Sequence, residues 1–126
     1  MIIDTHTLLW YAKGDERLAP ALRDHIEQSQ TPCFVSKASL WEITIKAALG
    51  KLDLGMAFDQ FFDELPRQGF QLLDIDLADL RMLHRLPFYH GDPFDRLIIA
   101  QAIARNVPIM SDDAKFGRYP IQLVGT

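Results

Sequence analysis

Residues 92–113 read DPFDRLIIAQAIARNVPIMSDD, and the reading of this stretch decides the fold. Asp92-Pro93-Phe94-Asp95 is a helix start, with Asp92 at the cap, Pro93 at the first position and Asp95 at the third. Leu97, Ile98, Ile99, Ala100 and Ile103 then form the buried side of a helix over Pro93–Arg105. Val107 to Met110 follows as a short apolar strand, and Ser111-Asp112-Asp113 closes it. Short apolar runs alternating with amphipathic helices are the pattern of a parallel α/β sheet.

The rest of the chain repeats that alternation. Ile2 to Asp4 reads as a short buried strand, and Thr5 to Lys13 as a helix stopped by Gly14. Pro20 to Gln28 reads as a second helix with Pro20 in its first turn. Cys33 to Val35 is a strand, and Ser36 is placed to cap a helix running to about Leu49, with Gly50 as its stop. That helix is apolar on most sides (Trp41, Ile45 and Ala48; Leu40, Ile43 and Ala47), which predicts a well-buried element. Met56 to Arg67 reads as an amphipathic helix whose Phe58, Phe61 and Phe62 fit core packing. Gln71 to Ile75 is a strand, Leu77 to Leu86 a helix, Pro87 to Gly91 a loop, and Ile121 to Val124 an edge strand. The expected fold class is α/β: a central parallel sheet of four to five strands with helices on both faces.

The 126 residues fit one domain, 1–126, able to bury a core without staples. One cysteine, Cys33, excludes an intramolecular disulfide and reads as a small buried strand residue. No apolar run approaches the roughly 20 residues of a membrane span, and Met1-Ile2-Ile3-Asp4 does not open like a signal peptide, so the expected location is cytoplasmic with no membrane partner. A net charge of −4 argues against a protein built to coat nucleic acid, and it is compatible with a carboxylate site neutralised by divalent cations.

Ligands of open parallel sheets bind beyond the C-terminal ends of the strands. Asp4 and the Asp112-Asp113 pair both follow strands directly, Asp95 lies in the first turn of its helix, and Glu42 stands about two turns into the helix after the second strand. Four acids from distant parts of the chain are thus placed to converge. Carboxylates that close repel, and Mg²⁺ or Mn²⁺, which prefer oxygen ligands, relieve the repulsion. Such ions activate water and stabilise a phosphoryl transition state, the chemistry of phosphodiester cleavage.

Each acid also has a purely local reading. Asp4 can cap the first helix, Asp92 and Asp95 belong to a helix start, Glu42 can pair with Lys46, and Asp112 or Asp113 can cap the turn at Ala114. Glu42 weighs toward function because it interrupts an apolar run, Leu40-Trp41-Glu42-Ile43, and buried acids need partners. His6, His25, His84 and His90 show no metal-ligand spacing and read as surface or packing residues. A barrel hydrolase needing His-x-His fails because residue 8 is Leu8, and an Asp-x-Asp phosphatase fails because residue 6 is His6.

Four stretches together carry a family resemblance: Ile3-Asp4-Thr5-His6, Ser39-Leu40-Trp41-Glu42-Ile43, Asp92-Pro93-Phe94-Asp95-Arg96-Leu97-Ile98-Ile99-Ala100-Gln101-Ala102, and Ser111-Asp112-Asp113. In this order and spacing the chain resembles a PIN-domain nuclease, and within that group the VapC-like toxins of bacterial toxin–antitoxin pairs. The resemblance implies a three-layer α/β/α fold and a metal-dependent endoribonuclease using Mg²⁺ or Mn²⁺. Its substrate would be RNA, and its partners a cognate antitoxin protein and a second copy in a homodimer. The catalytic acids fall on Asp4, Glu42, Asp95 and Asp113, with Asp4, Asp95 and Asp113 expected to hold metal and Glu42 to position or deprotonate the attacking water. Thr5 and Ser111 match hydroxyl positions beside these acids.

Lys37, Arg96, Lys115 and Arg118 lie near these motifs as candidates for phosphodiester contacts, against a reading as plain surface charge or, for Arg96, a salt bridge to a neighbouring acid. Three rivals stand beside the ribonuclease: an RNA- or partner-binding module that does not cut, a DNA-directed nuclease, and a purely structural role, which would leave the acid Glu42 within its apolar run unexplained. All four acids are present, which speaks against the first. Recognition of a 2′-hydroxyl leaves no motif that would decide the second.

Overall fold

The computed structural model describes residues 1–125. Its elements run β1 (Ile2–Ile3), α1 (Thr5–Lys13), α2 (Pro20–Gln28), β2 (Cys33–Ser36), α3 (Lys37–Ala48), α4 (Phe58–Arg67), β3 (Phe70–Leu73), α5 (Leu77–Arg85), α6 (Pro93–Arg105), β4 (Ile109–Met110), a 3-10 helix (Ala114–Arg118) and β5 (Leu123–Val124). The five strands form one wholly parallel sheet in the order β3-β2-β1-β4-β5. Helices cover both faces, so the fold is the expected three-layer α/β/α arrangement.

Alternation along the strands divides the core. Ile3, Val35 and Met110 point to one face, where they meet Leu8, Leu22, Phe61 and Leu65 from α1, α2 and α4. Ile2 and Ile109 point to the other face, onto Leu97, Ile98 and Ile99 of α6 and Phe116 of the 3-10 helix. Helix α3 packs on β2 and α6, with Leu40 and Ile43 in the first cluster and Ala38 in the second. Strands sandwiched in this way carry apolar residues on both sides, which is why they read as unbroken hydrophobic runs.

Three strands and a helix are shorter than their apolar runs, each for a local reason. Val107 N–H bonds back to the Ala102 carbonyl, with Asn106 in the left-handed conformation that ends α6, and Pro108 has no N–H, so β4 begins at Ile109. β3 begins at Phe70, opposite Cys33, and ends at Leu73 because the Asp74 carbonyl is taken by Gln101 and Arg105 side chains. β5 is limited to Leu123–Val124 by the two-residue length of its partner β4. α4 begins at Phe58, not Met56, because Gly55, at φ +73 and bonded to the Asp53 carboxylate, first turns the chain.

One expectation is corrected. α3 is not buried on most sides: Trp41 is 57% exposed and Leu49 63%, with Ile45 also exposed between them. Apolar content all round a helix predicts burial only where neighbours exist on every side; α3 packs on β2 and α6, and its Trp41 side, which meets the Phe94 ring edge-on, is left largely open. No helix among the described residues is long and apolar enough to cross a membrane.

α5 is tied to α6 by charge. The Arg105 guanidinium pairs with the buried Asp79 carboxylate and, at 2.9 Å, with Asp76, while Asp79 and Asp76 close a reciprocal capping box at the start of α5. Arg105→Met leaves a buried carboxylate without its cation. We expect a loss of about 3 kcal/mol in urea unfolding, with an unchanged denaturant slope; a loss below about 1 kcal/mol would make the pair a surface contact only.

Candidate active site

The strand order reverses between β1 and β4, because the chain leaves β1 toward β2 on one side and returns to β4 on the other. Helices diverge at such a point, and a crevice opens beyond the strand ends. Asp4 follows β1 and Ser111 follows β4, with the Asp4 N–H bonded to the Met110 carbonyl across the pair at 3.1 Å. The candidate site is built on this seam.

Asp4 is 1% exposed. Its Oδ1 accepts the Thr7 N–H at 2.8 Å, capping α1, and its Oδ2 accepts the Ser111 hydroxyl at 2.6 Å. Ser111 Oγ in turn accepts the Asp113 N–H at 3.0 Å, which links the acid after β1 to the acid after β4. Asp113 Oδ1 caps the 3-10 helix by accepting the Lys115 N–H at 3.1 Å. Asp112 points outward and is exposed, whereas Asp113 turns toward the seam.

Asp95 is buried in the first turn of α6. Asp92 caps that turn, accepting the N–H groups of Phe94 and Asp95, and so leaves the Asp95 side chain free of capping duty. The Lys115 ammonium lies 2.6 Å from Asp95 Oδ2 and 3.4 Å from Asp113 Oδ2, joining the two acids. Glu42, 3% exposed, is paired with Lys46 one turn along α3 at 2.6 Å, and its charge is felt at Asp95. The start of α1 is pinned to α3 by the Thr5 hydroxyl donating to Ser39 Oγ at 2.9 Å, three residues before Glu42.

The electrostatics follow from burial. Loss of water raises the Asp4 carboxyl above its ordinary value of 3.8, against hydrogen bonds from Ser111 and Thr7 that favour the charged form. Burial raises Asp95 too; the Lys115 hydrogen bond opposes this, and the neighbouring charges of Asp92 and Glu42 add to it. Lys115 loses some hydration, which lowers its pKa, but pairing with Asp95 and Asp113 outweighs that and the net shift is upward. Cys33, at the opposite rim, is pushed up to about 11 by burial, which disfavours the thiolate.

Of the four acids named from the sequence, Asp4, Asp95 and Asp113 are linked pairwise on this rim, while Glu42 pairs with Lys46 and reaches the others only through its charge at Asp95. Asp4 reaches Asp113 through Ser111, and Asp113 reaches Asp95 through Lys115. Among the described residues no three carboxylates, imidazoles or thiols are gathered closely enough to hold one ion as they stand. The donors nevertheless fit a hard divalent cation: they are oxygen-only, two are desolvated, and a cationic group already lies between Asp95 and Asp113.

Of the basic candidates, Lys37 pairs with Asp74 at 2.5 Å, and Arg118 stacks on Tyr89. Arg96 is buried and makes no salt bridge among the described residues; it donates to the Leu86 and Pro87 carbonyls and to the Tyr119 hydroxyl, under the ring of Phe88. The contacts of Lys115 with two acids were not legible from spacing alone. The one available signal was its position two residues after Asp113, in the first turn of a short helix. His6, His25 and His84 are exposed and His90 packs edge-on against Tyr119, as expected of surface and packing residues.

Comparison with curated proteins finds no match. Among solved structures, the chain is similar to the VapBC2 complex from Rickettsia felis bound to a DNA fragment from its promoter, with 17% identity over 98% of this chain and 96% of that one, and a TM-score of 0.72. It is similar also to DNA-bound VapBC from Salmonella typhimurium, again with 17% identity and coverage of 98% and 96%, and a TM-score of 0.75. Likeness at that identity speaks for the fold. The family model of the PIN domain matches residues 1–122, nearly the whole chain, and with the motif order read above it establishes that this protein belongs to the PIN domain family.

Proposed function

We propose that this protein is a metal-dependent endoribonuclease and the toxin of a toxin–antitoxin pair. The observation that carries the reading is the seam between β1 and β4, where the buried carboxylates of Asp4 and Asp95 and the carboxylate of Asp113 face one rim in a PIN-family chain. Asp4, Asp95 and Asp113 are the residues to hold Mg²⁺ or Mn²⁺, which when bound supplies charge neutralisation at the scissile phosphate and an activated water. Ser111 fixes one Asp4 oxygen and Thr7 N–H the other, so the carboxylate orientation is set before any ligand arrives. Glu42, its rotamer held by Lys46, is assigned to positioning the attacking water and taking its proton.

The solved structures of similar fold are toxin–antitoxin complexes, which supports a cognate antitoxin as partner. The exposed stripe of Trp41, Ile45 and Leu49 gives a protein partner, antitoxin or second copy, an apolar surface to cover. A cytoplasmic site of action agrees with an RNA target.

Without metal, the two raised aspartates burden the fold. Each binds its proton more tightly folded than unfolded, so the stability these two groups contribute is fully present below the ordinary aspartate value of 3.8 and is lost as pH rises through the elevated folded value. At neutral pH the metal-free protein carries the full cost. Asp4→Asn keeps an acceptor for the helix cap and removes the charge. We expect its melting temperature in EDTA at pH 7 to exceed wild type by a few degrees, with the difference gone below pH 3.8. A lower melting temperature would leave Asp4 as a helix cap and nothing more.

The activity itself is tested with purified protein on a mixed RNA pool and on single-stranded DNA, side by side. With Mn²⁺ we expect RNA fragments; with EDTA, or with Asp95→Asn, cleavage falls to background. Cutting of DNA alone would reassign the substrate. Wild-type rates from Asp95→Asn would remove Asp95 from the site.

A further inference from the structure

The Lys115 side chain is held where a cation belongs. Its backbone N–H is bonded to Asp113 Oδ1 and its ammonium approaches Asp113 Oδ2, so one carboxylate fixes both ends of the residue. From there the ammonium reaches Asp95 Oδ2 at 2.6 Å, on a carboxylate whose side chain is only 5% exposed. Two acids brought this near each other in a partly dry setting need a positive charge between them. Asp4 differs, since its hydrogen bonds come from neutral donors, the Ser111 hydroxyl and the Thr7 N–H.

We propose that the Lys115 ammonium is the resident counter-cation of this site, neutralising the Asp95 and Asp113 carboxylates that would hold a divalent cation, so that metal binding would exchange one cation for another. The inference rests on the metal site proposed above. The exchange has a route: the Lys115 side chain is 31% exposed and its flexible stem lets the ammonium move to water while the 3-10 helix stays in place. Lys115 is therefore a positioning residue. It holds the carboxylates together while metal is absent, and it weakens apparent metal affinity by competing for an Asp95 oxygen.

The two effects of removing it have opposite signs, which separates this role from a merely structural one. Lys115→Met keeps the length and apolar stem and deletes the charge; Lys115→Gln is a second neutral variant if the first folds poorly. In the full-length protein, with Mn²⁺ titrated calorimetrically at fixed pH and salt, we expect either neutral variant to bind about tenfold more tightly than wild type, the factor for deleting one competing charged hydrogen bond. The melting temperature in EDTA should fall. Lys115→Arg, which retains the charge, should restore near wild-type affinity, and Asp95→Asn should abolish binding. Unchanged or weaker Mn²⁺ binding by the neutral variants, with Asp95→Asn still null, overturns the counter-cation role and leaves the metal site standing. Absence of Mn²⁺ binding in wild type and the neutral variants alike overturns the metal site, and this inference with it.

Discussion

The cost of placing negative charge where water is scarce organises this molecule. Asp4, Glu42 and Asp95 are almost fully withdrawn from solvent, and an uncompensated carboxylate in such a place is not tolerated. Each has therefore drawn a donor set of a different kind. Asp4 takes a helix N–H and a serine hydroxyl, Glu42 a lysine one turn away, and Asp95 a lysine from another element. These contacts tie the ends of β1 and β4, the start of α6 and the 3-10 helix into one unit. The rim is thus cross-linked by the protein groups that solvate its charges.

The sheet makes this concentration of acids affordable by separating it from the rest of the core. Below the rim, Ile2, Ile3, Ile109 and Met110 are completely buried, and the layers on either side are aliphatic and aromatic. The remaining buried ions are settled locally: Asp79 by Arg105, and Arg96 by carbonyls of the loop it straps down. Arg96 shows why proximity in sequence does not imply pairing. It follows Asp95 directly, but successive residues on a helix diverge by about 100°, so the acid faces the seam and the arginine faces the loop.

Much of the fold was legible because its signals are local. The boundaries of α1 and α2 follow from Gly14 and Pro20, and the order of elements from alternating apolar runs. The strand limits were not legible, since they depend on which backbone groups are already engaged, as at Val107 and Asp74. Burial of α3 was misread for a related reason: hydrophobicity reports what a residue tolerates, and only topology reports what stands beside it. At the proposed site, the sequence offered four acids, but the linkage of Asp4, Asp113 and Asp95 through Ser111 and Lys115 spans as many as 107 positions and is set by the sheet order.

Capping and function are not competing explanations for these acids. In a parallel sheet every strand ends at the rim where the next helix begins, so an acid that caps a helix after a strand is delivered to the ligand-binding edge by the same geometry. Asp4 demonstrates this with its two oxygens, one spent on the Thr7 N–H and the other on Ser111 across the seam. Asp113 repeats it, with Oδ1 on the Lys115 N–H and Oδ2 toward the ammonium. The helix ends also contribute partial positive charge that favours carboxylates there. Asp95 stands apart because Asp92 has taken over its cap. Having no structural bond to maintain other than the one to a displaceable lysine, it is the acid of the set with the most freedom to serve a ligand.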